Sequence, residues 1–122
     1  MALILFVDDD PLTLETYSTI IKYFGHEILL AGTAEQAIRV AADGQPDMIV
    51  LDMNLPDMHG FDLLKSLHQN PLTEEIPAIM VSASPELFTE RALEFGAREF
   101  RSKPVLPDDL LELIERYASP DA

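Results

Sequence analysis

The chain has 122 residues, 48% of them apolar, which suits one compact domain with a real core and excludes a disordered tail. A formal charge of −14, with only eight Lys and Arg, argues against gripping nucleic acid and points to proteins or small cations as partners. No apolar run is long enough to span a bilayer, and the lack of cysteine excludes a disulfide framework and a thiolate nucleophile, a composition compatible with the cytoplasm.

Short apolar runs alternate with helical patterns. "ALILFV" (2–7) reads as a first strand; Leu14, Tyr17, Ile20, Ile21 and Phe24 then fall on one face of a helix over 11–24, and Gly25 stops it. "EILLA" (27–31) is a second strand, and Thr33 with Gln36 forms a capping-box pattern for the helix carrying Ala37, Ile38 and Ala41. "MIVL" (48–51) precedes a third helix after Gly60, marked by Phe61, Leu64 and Leu67. "IPAIMV" (76–81) is followed by Ser84-Pro85, an N-cap and first-turn proline for a fourth helix with Leu87, Phe88, Leu93 and Phe95. "REFRS" (98–102) is a weaker fifth strand, whose Arg98 and Arg101 suit a sheet edge, and the last helix spans roughly 107–118. Five such alternations predict a flavodoxin-like α/β fold, a doubly wound five-stranded parallel sheet covered on both faces.

In such a sheet, ligands bind beyond the carboxyl ends of the strands. The first polar groups there are Asp8 and Asp9, Asp52, Ser82 and Lys103, and strand order 2-1-3-4-5 brings the three acids together. Three carboxylates and one ammonium leave −2, which a hard divalent cation with oxygen ligands balances; Mg2+ fits, with Mn2+ as a substitute. Asp52 is the nucleophile candidate for a phosphoryl group, since Asp8 and Asp9 can then share the metal, and Ser82 can donate to the phosphoryl oxygens.

These residues, from "LILFVDDDP" through "IVLDMNLPDMHG" and "IMVSAS" to "GAREFRSKPV", closely resemble the receiver domain of two-component response regulators over essentially the whole chain. The resemblance implies a receiver domain over 1–118, with 119–122 a tail or the start of a linker. It assigns Asp52 as phosphoacceptor, Asp8, Asp9, Asp52 and the Asn54 backbone carbonyl as Mg2+ ligands, and Lys103 as the phosphoryl contact. Ser82 matches the family's hydroxyl position, Phe100 its aromatic switch and Lys103-Pro104 its cis peptide. Asn54 and Ser84, two residues beyond Asp52 and Ser82, are placed to tune dephosphorylation. Val105-Leu106 departs from the usual pattern and removes the customary side-chain cap of the last helix.

The implied partners are a histidine kinase or histidine phosphotransfer protein and a downstream target or missing output domain. Leu12, Thr13, Thr16 and the residues after Pro104 are the implied docking surface. Phosphorylation would repack the face made by the fourth helix, fifth strand and fifth helix. No separate substrate turnover is implied. Asp10 is read as a helix cap rather than a metal ligand, and His26, His59 and His68 lack metal-ligand spacing. A haloacid-dehalogenase-type phosphatase is the enzymatic rival, but "LDMNL" carries Asn54 where that chemistry needs a second acid.

Overall fold

Side-chain alternation along the strands creates two cores. The computed structural model, which describes residues 1–83 and 93–118, contains strands β1 (Leu3–Val7), β2 (Glu27–Ala31), β3 (Met48–Asp52), β4 (Ala78–Ser82) and β5 (Glu99–Ser102). They form one parallel sheet in the order β2-β1-β3-β4-β5, as expected. Leu5, Val7, Ile49, Leu51 and Met80 point into one core, with Ala37 and Ala41 of α2 (Ala34–Gly44) and Leu63, Leu64 and Leu67 of α3 (Gly60–Gln69). Their neighbours Ile4, Phe6, Val50, Ile79 and Val81 point into the other, with Tyr17 and Ile21 of α1 (Pro11–Tyr23) and Leu110 and Leu113 of the C-terminal helix α4 (Pro107–Leu113). Burying both faces is what demands near-continuous apolar strands. The Phe6 and Tyr17 rings stack at 4.4 Å, fixing α1 over β1.

The predicted bounds hold with small shifts, and a π-helical turn over Ile114–Ala118 continues α4. The Thr33 hydroxyl caps α2 as expected, accepting the Gln36 N–H at 3.1 Å. The Gln36 side chain reaches Gly32 N–H at 2.7 Å, one residue beyond the usual capping-box partner. Leu106 gives α4 no side-chain cap, also as expected, and Asp109 instead accepts the Leu106 N–H. Arg101, read as an edge-strand charge, is drawn into ion pairs with Glu99 and Glu112. The fourth predicted helix begins at Ser84-Pro85, with Leu87 and Phe88, outside the described residues.

Register positions the site. Val7 pairs with Leu51, so Asp8 follows β1 level with Asp52 at the end of β3; Asp52 pairs with Val81, and Ser82 with Ser102. The Lys103 N–H to the Ser82 carbonyl, at 2.9 Å, extends the last ladder by one step. Asp8, Asp52, Ser82 and Lys103 therefore share one edge of the sheet.

Candidate functional site

Each acidic group arrives at this edge on a strand whose interior is apolar, so the carboxylates are carried into partly dry surroundings. Asp8 is 2% exposed and Asp52 7%, whereas Asp9 is open to solvent. One carboxylate oxygen from each of Asp8, Asp9 and Asp52 lies within 4.8 Å of the other two. The Lys103 ammonium sits 3.1 Å from Asp8 and 3.2 Å from Asp52, bridging the buried pair.

Burial raises the pKa of Asp52; Lys103 pulls it down and the Asp8 charge pushes it up again, and the net result lies above the ordinary value. A backbone hydrogen bond from Asn54 favours the charged form of Asp52. Burial also works against the Lys103 ammonium, but its hydrogen bond to Asp8 and the two carboxylate charges outweigh this and raise its pKa. Three acids with one cation form an oxygen-rich, electron-rich cluster that could hold a metal ion, and its donors suit a hard divalent cation.

Of the three aspartates at the end of β1, Asp8 and Asp9 join the acidic cluster and Asp10 does not. Asp10 is the N-cap of α1, accepting from Leu12 N–H at 3.1 Å and Thr13 Oγ1 at 2.9 Å. Its own N–H donates to Asp8 Oδ1 at 3.0 Å, which orients the buried carboxylate.

A cleft of about 290 Å³ opens onto Asp52, with Asn54, His59, Ser82 and Lys103 on its walls. Ser82 is buried and Asn54 exposed. Phe100 pairs with Met80 in register and packs, half-buried, against the first core. Lys103-Pro104 is cis, as the resemblance implies. Ser84 lies outside the described residues. Leu12, Thr13 and Thr16 line a separate groove of about 280 Å³ with Lys103, Pro104 and Val105, beside the acidic cluster. Leu12 and Leu106 are 71% and 57% exposed, large apolar groups left in water.

Sequence reasoning leaves several residues unassigned. His59 is the N-cap of α3, its Nδ1 accepting the Phe61 N–H at 3.1 Å. His26 Nδ1 accepts the Ala2 N–H at 3.0 Å, and His68 Nε2 lies 3.0 Å from the Gly96 carbonyl. Gly60 allows α3 to start hard against β3: a Cβ there would come within 2.8 Å of Met53 Cα. Asp57 is the largest omission. Its carboxylate accepts from Ala34 N–H at 2.8 Å and Glu35 N–H at 3.1 Å, across 23 and 22 residues.

Residues 4–115 match the response regulator receiver domain family. The chain is 37% identical over 113 residues to the phosphate regulon transcriptional regulatory protein PhoB of Pseudomonas aeruginosa, covering 92% of this chain and 49% of that protein. It thus spans about half the length of that relative. It is 30% identical to protein PilH of the same organism, covering 93% of this chain and 95% of PilH. The crystal structure of a CheY-like receiver domain protein from Methanospirillum hungatei superposes with a TM-score of 0.83 at 32% identity, covering 95% and 92% of the two chains. This chain belongs to the response regulator receiver domain family of two-component systems.

Proposed function

We propose that the chain is a phosphorylation-controlled switch whose phosphoacceptor is Asp52. The observation that carries this reading is the convergence of Asp8, Asp9 and Asp52 within 4.8 Å, with Lys103 bridging the two buried acids at the mouth of a cleft. The donor is a phosphohistidine on a histidine kinase or phosphotransfer protein. A carboxylate oxygen of Asp52 attacks the phosphorus, an O–P bond forms as the N–P bond breaks, and the imidazole departs. Water later hydrolyses the acyl phosphate, so there is no separate substrate to turn over.

Asp8, Asp9, Asp52 and the Asn54 carbonyl would hold Mg2+, with Mn2+ as a substitute, and the cation would set positive charge against the phosphoryl oxygens. Lys103 supplies the protein's own positive charge to the same oxygens. Ser82, on the wall of the cleft, donates a hydrogen bond to them and moves toward the new group; Phe100 then fills the space it leaves. This repacks the β5 face that continues into α4, a two-state element biased by a modification of roughly −2 charge. Asn54 and Ser84, two residues beyond Asp52 and Ser82 in the sequence, are assigned to tuning the lifetime. The groove at Leu12, Thr13, Thr16 and Pro104 receives the phosphodonor protein, and the target or output domain reads the repacked face. Residues 1–118 form the receiver unit, with 119–122 as its tail or linker, in the cytoplasm.

Incubation with acetyl phosphate and Mg2+ should label the wild type to near stoichiometry and leave Asp52→Asn unlabelled. Persistent labelling of that variant overturns the assignment. Catalytic release of phosphate from small esters would favour the phosphatase rival instead.

A further inference from the structure

The loop between β3 and α3 carries Asn54, whose N–H supports Asp52 and whose carbonyl is assigned above to the cation. It is anchored at its ends. Met53 is buried and donates to the Val81 carbonyl at 3.2 Å, Asn54 pairs with His59, and Gly60 N–H returns to the Met53 carbonyl. Asp57 lies between these anchors, exposed, yet both its oxygens are committed to amides of α2.

Helix α2 already has a cap of its own. Thr33 satisfies the Gln36 amide and Gln36 satisfies Gly32. The Ala34 and Glu35 amides go to Asp57, so the carboxylate takes the remaining first-turn donors at a helix end that favours an anion. What Asp57 adds is a tether: it fixes the middle of the loop against a rigid helix. Asp57 is not one of the converging carboxylates, so it acts through the loop and not as a ligand.

We propose that Asp57 is a positioning residue for the cation site, latching the Asn54 loop to the N-terminus of α2. This rests on the reading that Asp8, Asp9, Asp52 and Asn54 bind Mg2+. Partners that orient ligands without touching the metal commonly govern its affinity.

Calorimetric titration of the full chain with Mg2+ tests it, using Asp57→Ala, Asp57→Asn and Thr33→Ala. Asp57→Ala should weaken Mg2+ about tenfold. Asp57→Asn should recover part of the loss, because the amide oxygen still accepts one N–H. Thr33→Ala, which removes α2's own cap, should lower the melting temperature but leave Mg2+ affinity unchanged. Wild-type affinity in Asp57→Ala, or an equal loss in Thr33→Ala, overturns the latch and leaves the metal reading standing. A wild type with no saturable Mg2+ binding overturns the metal reading, and the latch with it.

Discussion

Two charge clusters among the described residues are balanced differently. On β5 and the C-terminal helix, Glu99 and Glu112 face Arg101 and Arg116. Arg101 pairs with Glu99 at 2.9 Å and Glu112 at 3.2 Å, Arg116 pairs with Glu112 at 2.8 Å and also with Glu99, and Asp109 stands at the fringe, 3.9 Å from Arg101. The Tyr117 hydroxyl donates to Glu99 at 2.5 Å as well. Burial would raise the Glu99 pKa, but Tyr117 and the two arginines outweigh it and hold it below its ordinary value. At the strand ends, three acids converge on one lysine, and Asp52 is pushed the other way. A structural cluster satisfies itself. The cluster proposed above as functional is left short of positive charge, and that deficit is what a cation or phosphoryl chemistry can use.

The largest effect should come from removing a single cation from each. Lys103→Met leaves Asp8 and Asp52 buried without a counter-charge, which should cost about 3 kcal/mol in chelator-treated protein. Added Mg2+ should restore a larger share of stability to this variant than to the wild type, because ligand binding to the folded state offsets the deficit. Arg101→Met leaves Glu99 with Arg116 and Tyr117 and should cost under about 1 kcal/mol. Urea melts of the two variants decide the matter. If metal-free Lys103→Met matches the wild type, the site is not short of positive charge.

A smaller contrast is one of sign. Because Asp52 has a raised pKa in the folded state, its charge is a penalty at neutral pH, and Asp52→Asn should stabilise the metal-free protein by about 1 kcal/mol. Glu99 has a lowered pKa, so Glu99→Gln should destabilise by about 1 kcal/mol, discounted for the partial exposure of the network. Both differences shrink on acidification. The Asp52→Asn gain fades as pH falls through the raised folded pKa, since the wild type then binds the proton that removes its penalty. The Glu99→Gln loss is complete above the ordinary glutamate value of 4.5 and closes only as pH falls through the depressed folded pKa. Denaturation midpoints of both variants between neutral and acid pH test the pair. Equal signs at pH 7 would refute the contrast.

The strand-end cluster was legible in the sequence and the β5 network was not, for a geometric reason. Apolar runs such as "MIVL" end where a strand meets solvent, so Asp8, Asp52, Ser82 and Lys103 reach one edge even when a strand bound shifts by a residue. Parallel topology does the rest. The network instead depends on which way Glu99 and Arg101 turn and on how β5 meets helical residues 11 and 18 positions along the chain from their partners, and no periodicity encodes that. Asp57 is hidden for the same reason: its partners are amides 23 and 22 residues earlier, while the local sequence Pro56-Asp57 reads as an ordinary loop. His59 capped a helix with a residue type outside the usual capping set.

Within the site, the opening acids repeat the contrast in miniature, with the smallest effects. Asp10 is satisfied by Leu12 and Thr13 and belongs to the fold, whereas Asp9 is exposed and shares the carboxylate cluster. Asp10→Ala should cost about 1 kcal/mol of stability through loss of the N-cap, with little change in Mg2+ affinity. Asp9→Ala should leave stability within about 0.5 kcal/mol of wild type and weaken Mg2+ binding. Chemical melts in chelator, paired with calorimetric Mg2+ titrations, separate the two jobs. Loss of affinity in Asp10→Ala without loss of stability would move Asp10 into the metal site. The neighbouring carboxylates differ because one turns back onto the Leu12 amide and the Thr13 hydroxyl while the other remains directed at the cluster.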